Sequence, residues 1–128
     1  MKTNTLNIKL VGEVTYGNGL GRTLGFPTAN LRASEEVAGV VSGVYSAVAT
    51  IDGTSHPAVV NIGRSPSVVE NGEVRIEAHL LDFEGDLYGR TLAVELRQFI
   101  RPEHKFTSTE ALCAQITLDC ESARKALE

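Results

Sequence analysis

The sequence predicts a mainly β fold, a small closed barrel of five or six short strands with one helix across its outside. Three observations carry that expectation. Apolar and polar residues alternate with a period of two in several short runs between Asn7 and Ile100. Glycine, proline, asparagine and aspartate punctuate those runs at close spacing. A helical period occurs only near the end, after Thr107. Alternation alone does not separate a barrel from an open sheet. No repeat, low-complexity tract or shift of composition divides the chain, so residues 1–128 are expected to form one domain.

The elements follow in order. In Asn7 to Tyr16, residues Ile8, Leu10, Gly12, Val14 and Tyr16 share one face, opposite Lys9, Glu13 and Thr15. That is a strand with one buried side. Gly12 to Leu31 then holds five glycines, more than a packed helix or ordinary strand tolerates. Pro27 fixes its own φ and pushes Phe26 into an extended conformation, so the Gly25–Asn30 corner is stiff. Arg32 to Val41 is irregular and polar and is expected to be a surface excursion. Gly43–Ile51 and His56–Ile62 are β-branched runs joined through Asp52-Gly53, a hairpin signal. The spacing suggests a link slightly longer than two residues and leaves the turn type open. Gly63–Gly72, with Pro66, is expected to be a loop. In Val74–Leu80, Val74, Ile76, Ala78 and Leu80 take one face, and Arg75, Glu77 and His79 the other. Glu84-Gly85-Asp86 marks a turn before a strand at Arg90–Ile100, carried by Leu92, Val94 and Leu96. Thr107-Ser108-Thr109-Glu110 has the form of a capping box. Leu112, Ile116, Cys120, Ala123 and Leu127 then recur at helical spacing.

Composition narrows the function classes. A chain of 128 residues builds one modest core. Its net charge of −4 lacks the basic excess of a nucleic-acid-binding barrel. No apolar run is long enough to span a bilayer, and Met1 to Thr5 carries no signal-peptide core. A cytoplasmic monomer with small-molecule partners, and no nucleic acid or membrane, is therefore expected. Cys113 and Cys120 would lie about 10 Å apart on a helix, too far for a disulfide. They are expected to be reduced and packed near the core. The three histidines show no zinc spacing.

The chemistry-bearing residues cluster in the glycine stretch and one strand. Gly17, Gly19 and Gly21 let backbone amides approach an anion, and Arg22 adds a permanent cation. The stretch fits neither a Walker loop nor a dinucleotide fingerprint. Its plain alternatives are a hairpin loop and a solvated arginine. Thr28 and Asn30, two apart in an extended segment, point the same way and offer hard oxygen ligands. Local turn hydrogen bonds are their alternative use. Glu77 is a carboxylate on a clean strand, where glutamate is depleted. It is either a general base or a strand charge paired with Arg75 or Arg97. Phe26, Tyr88 and Phe106 flank these segments as flat surfaces, or else pack in the core.

Gly21-Arg22-Thr23-Leu24-Gly25-Phe26-Pro27-Thr28-Ala29-Asn30-Leu31 is far more specific than its glycines. It resembles the signature of the riboflavin kinase family, either free-standing enzymes or the kinase module of bifunctional bacterial FAD synthetases. Ser42–Tyr45, Val60–Gly63, Glu77–Phe83, Asp86–Gly89 and Ile100–Glu103 agree with the family's order, so the likeness runs from about Gly12 to Arg124. The resemblance implies a six-stranded antiparallel Greek-key barrel with a C-terminal helix. It implies transfer of the γ-phosphate of ATP to the riboflavin 5′-hydroxyl to give FMN, with Mg²⁺ as metal, although other divalent ions suit the same oxygens. Within it, Glu77 is the base, and Thr28 and Asn30 are metal ligands. Gly17, Gly19, Gly21, Arg22, Phe26 and Tyr88 attend the nucleotide; Arg101, Lys105 and Phe106 attend the flavin. Family members carry Thr-Phe after the loop proline where this chain has Ser67-Val68. No adenylyltransferase half is present in the 128 residues, so synthesis is expected to stop at FMN. The competing expectations are a flavin-binding module without catalysis and an oligonucleotide-binding barrel. Acidic balance and few aromatics weigh against the second.

Overall fold

The computed structural model describes residues 8–15, 29–31, 40–64, 74–81, 83, 89–103 and 106–126. Among these residues six strands, β1 (Ile8–Thr15), β2 (Ala29–Leu31), β3 (Gly43–Ile51), β4 (Thr54–Arg64), β5 (Val74–Leu80) and β6 (Thr91–Arg101), precede one helix, α1 (Thr109–Ala126). Every strand pair is antiparallel, and the order β1-β2-β5-β4-β3-β6 closes on itself. Strands β3, β4 and β5 run as neighbours, and β6 returns beside β3, which is the Greek-key path. The expected fold class is therefore the observed one.

Alternation fills the interior. Leu10 and Val14 of β1, Ala29 and Leu31 of β2, Val60 and Ile62 of β4, Ile76 and Ala78 of β5, and Leu92, Val94 and Leu96 of β6 all belong to one buried cluster. Burial at β3 is different, for Gly43 to Ala47 are buried without interruption. A strand reads that way when both of its faces are covered. The second cover is α1. It packs on β3, β4 and β6 through a smaller apolar cluster of Val44, Val59, Leu81 and Ala123, with Ile100 and Cys120 beside it.

Several boundaries differ from the sequence reading. Ile51 and Thr54 are direct partners, so Asp52 and Gly53 form a two-residue turn. Both have positive φ, 52° and 81°, as a type I′ turn requires. Its twist matches that of the strands, which lengthens β4 to Thr54–Arg64 and takes Gly63 out of the expected loop. Val40, at the end of the expected surface excursion, is buried in the main core at 6% exposure. The helix cap is shifted by one residue. Ser108, rather than Thr107, accepts a hydrogen bond from the Ala111 amide at 3.1 Å, because α1 starts at Thr109. Glu110 then falls in the first turn, where it faces the positive end of the helix dipole. The cysteines are free and half-buried as expected. Burial, and then the neighbouring Asp119, raises the Cys120 thiol above its ordinary value.

Gly43 is the tightest backbone site at the head of β3. Its φ is +152°, and a Cβ there would lie 2.4 Å from Cε1 of Phe99 and 2.8 Å from the Arg101 carbonyl oxygen. Phe99 also packs edge-on against Tyr45, with ring centres 5.3 Å apart, and the Arg101 carbonyl is backbone that cannot swing away. Gly43→Ala should lower stability by about 2–3 kcal/mol, read as a fall in the urea midpoint. An unchanged midpoint would show that the Phe99 ring moves aside freely.

Candidate active site

A strand that buries alternate residues must turn the others outward. On the outer face this sets one polar row across the sheet. Asn30 of β2 is the direct partner of Glu77 on β5, Glu77 of Asn61 on β4, Asn61 of Val44 on β3, and Val44 of Arg101 on β6. Directly opposed residues have Cβ atoms roughly 5 Å apart, so Glu77 has an amide side chain on each side. Glu77 and Asn61 are half-buried.

Helix α1 crosses the far part of this row and encloses a pocket of about 280 Å³. Val44, Val59, Asn61, Glu77 and His79 form its floor. Leu112, Ile116 and Asp119 form its roof, and Arg101, Glu103 and Phe106 close one end. The pocket therefore has apolar walls and a carboxylate where its floor meets the Asn30 edge.

The roof is fixed by one ion pair. Arg101 donates from Nε to Oδ1 of Asp119 at 3.0 Å and from Nη2 to Oδ2 at 2.8 Å. Asp119 is 2% exposed and also accepts from Gln115 Nε2 at 3.0 Å. The remaining Arg101 nitrogen donates to the Pro102 carbonyl at 3.2 Å, and the guanidinium carbon lies 5.7 Å from the Phe106 ring centre. Bidentate geometry at low exposure makes this a stronger contact than a surface pair.

Nearby, Gly63 leaves room for two charges. The place its Cβ would occupy is 2.9 Å from a Glu103 carboxylate oxygen and 3.0 Å from an Arg75 nitrogen. Arg97 pairs instead with Glu95 at 3.0 Å. Among the described residues no cation pairs with Glu77, and Arg97, one of the two partners considered for it, is engaged by Glu95.

Four of the residues singled out from the sequence are described. Asn30 and Glu77 are brought side by side. Arg101 and Phe106 share the closed end, where the Arg101 guanidinium is directed to Asp119. Gly17, Gly19, Gly21, Arg22, Phe26, Thr28, Tyr88 and Lys105 lie outside the described residues. Asn61, His79, Asp119, Leu112 and Ile116 were not foreseen as site residues, whereas Glu103 falls within the Arg101–Phe106 segment that the resemblance placed near the flavin. Asn61 carried a signal, an amide between the apolar Val60 and Ile62. Asp119 carried another, a carboxylate three residues beyond Ile116 on the apolar side of the helix. Among the described residues no cluster of three or more histidine, cysteine, aspartate or glutamate side chains is placed to hold a metal.

Comparison with known proteins finds relatives that span nearly the whole chain. A family model, Flavokinase (riboflavin kinase), matches residues 4–127. A bifunctional riboflavin kinase/FMN adenylyltransferase of Pseudomonas fluorescens is 44% identical over 116 residues, 91% of this chain and 37% of that protein. The RNA-binding riboflavin kinase RibR of Bacillus subtilis is 40% identical over 119 residues, 93% of this chain and 51% of that protein. The chain thus spans between about a third and a half of the length of these curated relatives. A solved structure described as a macrolide-efflux protein from Streptococcus pneumoniae superposes with a TM-score of 0.85 at 33% identity, over 92% of this chain and 38% of that one. A riboflavin kinase from Trypanosoma brucei shares the fold, with a TM-score of 0.66 at 24% identity over 93% of this chain and 78% of that one.

Removing Asp119 strands a half-buried guanidinium. Asp119→Ala should cost about 3 kcal/mol of stability, visible in chemical unfolding. Asp119→Asn, which keeps one acceptor for Arg101, should cost less. Equal unfolding midpoints for Asp119→Ala and the parent chain would show that the pair does not hold α1.

Proposed function

The chain belongs to the riboflavin kinase family, and from that membership we propose that it transfers the γ-phosphate of ATP to the 5′-hydroxyl of riboflavin, yielding FMN and ADP. The observation that carries this reading is the direct pairing of Asn30 with Glu77 at the open edge of a pocket roofed by α1.

In the proposed reaction the flavin ring lies under Leu112 and Ile116, with Phe106 at its edge, and its ribityl chain runs along the polar row toward Glu77. The Glu77 carboxylate accepts the 5′-hydroxyl proton as that oxygen bonds to the γ-phosphorus and the bond to the β,γ-bridging oxygen breaks. Gly17, Gly19, Gly21 and Arg22 are assigned to the phosphates, and Phe26 and Tyr88 to the nucleoside. The Asn30 amide oxygen is a hard neutral donor next to a carboxylate, a donor set that suits Mg²⁺ or a similar divalent ion, with Thr28 as the second proposed ligand. When bound there, such an ion neutralises charge on the triphosphate. Lys105, with Phe106, is assigned to the flavin end. Arg101 acts there by holding Asp119, and so the roof, in place. The proposal includes action as a cytoplasmic monomer on small molecules. The net charge of −4 supports leaving nucleic acid out. No helix among the described residues is long and apolar enough to cross a membrane.

Incubation with riboflavin, ATP and Mg²⁺, followed by chromatography, should reveal FMN. Glu77→Gln should reduce its rate by about 10²–10⁴-fold and leave riboflavin binding, read by flavin fluorescence, unchanged. Wild-type protein that binds riboflavin but makes no FMN would sink the reading. Asn30→Ala should raise the Mg²⁺ concentration for half-maximal rate by about tenfold; no shift in that concentration would remove Asn30 from the metal site.

A further inference from the structure

Asn61 lies at the centre of the polar row, between Glu77 on β5 and Val44 on β3. It lines the floor of the pocket. Its side-chain oxygen is sealed from solvent and has no hydrogen-bond partner. Such an acceptor destabilises a fold, because it has lost water and gained nothing in exchange. An apolar side chain at this position would remove that cost and would extend the apolar floor formed by Val44 and Val59. The fold gains nothing from the amide, which points to a partner that arrives with the substrate.

The chemistry of that partner follows from the neighbours. An amide can turn over at almost constant volume, exchanging its oxygen and its NH₂ group. When substrate enters, a turn that carries the NH₂ group to the Glu77 carboxylate across the ladder brings the oxygen to the pocket, where it can accept from a hydroxyl. A polyol chain carries a second hydroxyl on the carbon next to the reacting one, within reach of the residue next to the base. We infer that Asn61 is a specificity and positioning residue that accepts a hydrogen bond from a chain hydroxyl adjacent to the one phosphorylated, and thereby aligns the reacting oxygen with Glu77. This rests on the reading of the pocket as the riboflavin site. A site built to bond a hydroxyl rejects a ligand lacking it, since its polar group is then left unpaired.

Two flavins separate this role from a structural one. Riboflavin carries the ribityl chain; lumiflavin has the same ring and no chain hydroxyls. Asn61→Leu should weaken riboflavin binding by about tenfold and leave lumiflavin binding unchanged. Its urea midpoint should equal or exceed that of the parent chain. Asn61→Val, smaller and β-branched, repeats the test, so that a clash by one side chain cannot decide it. The inference is overturned if both flavins weaken equally, if neither weakens, or if both variants unfold at lower urea. If the unsubstituted protein binds neither flavin, the riboflavin reading of the pocket fails first and this inference goes with it. If it binds both flavins with equal affinity, the pocket reading stands and the role of Asn61 falls.

Discussion

The Arg101–Asp119 pair is the constraint on which the rest of the site depends. A six-stranded barrel satisfies its own backbone hydrogen bonds and fills its own interior, so it has no intrinsic need of a helix. What attaches α1 is a modest apolar contact around Val44, Val59, Leu81 and Ala123, together with one bidentate ion pair at low exposure. The apolar contact supplies attraction but little direction. The ion pair supplies direction, because a planar guanidinium engages a carboxylate in one geometry. Gln115 and Phe106 hold the two partners from either side. The helix therefore sits at a set height above the sheet, and a pocket remains beneath it.

The barrel divides its labour by the strand period. Inward residues are small or branched and apolar, and they make the core. Outward residues on β2, β5 and β4 make the polar row. Both sets come from the same strands, so the register that packs the interior also places Asn30 beside Glu77 and Glu77 beside Asn61. A slip by one residue would bury the carboxylate and expose Ile76 or Ala78. The core thus protects the geometry of the site without contributing an atom to it.

Much of this was legible in the sequence. The alternation through Val74–Leu80 showed which face Glu77 takes, while the two-residue spacing of Thr28 and Asn30 said only that the two share a side. The last helix was marked by the spacing of its apolar residues. What escaped was what a period cannot encode. Alternation says that Glu77 faces out, but not that β2 and β4 are its neighbours; that is a matter of topology. It also cannot show that one outward face is covered, which is why the unbroken burial of Gly43–Ala47 and the paired Asp119 were missed. The cap shifted by one residue because Thr107 and Ser108 are both competent, and only the start of α1 at Thr109 chooses between them. The type I′ turn went unread because Ser55 and Thr54 looked like loop residues, whereas the ladder continues through them.

All six strands precede α1 in the chain. Every strand of the barrel is therefore made before the helix is. At about 5–20 residues per second, the 18 residues of α1 take roughly one to four seconds to follow. Until that helix docks, Val44, Val59 and Leu81 form a bare greasy stripe on the barrel. The domain is therefore at its most adhesive when its interior is complete and α1 has not docked, and the helix acts on it as a built-in chaperone.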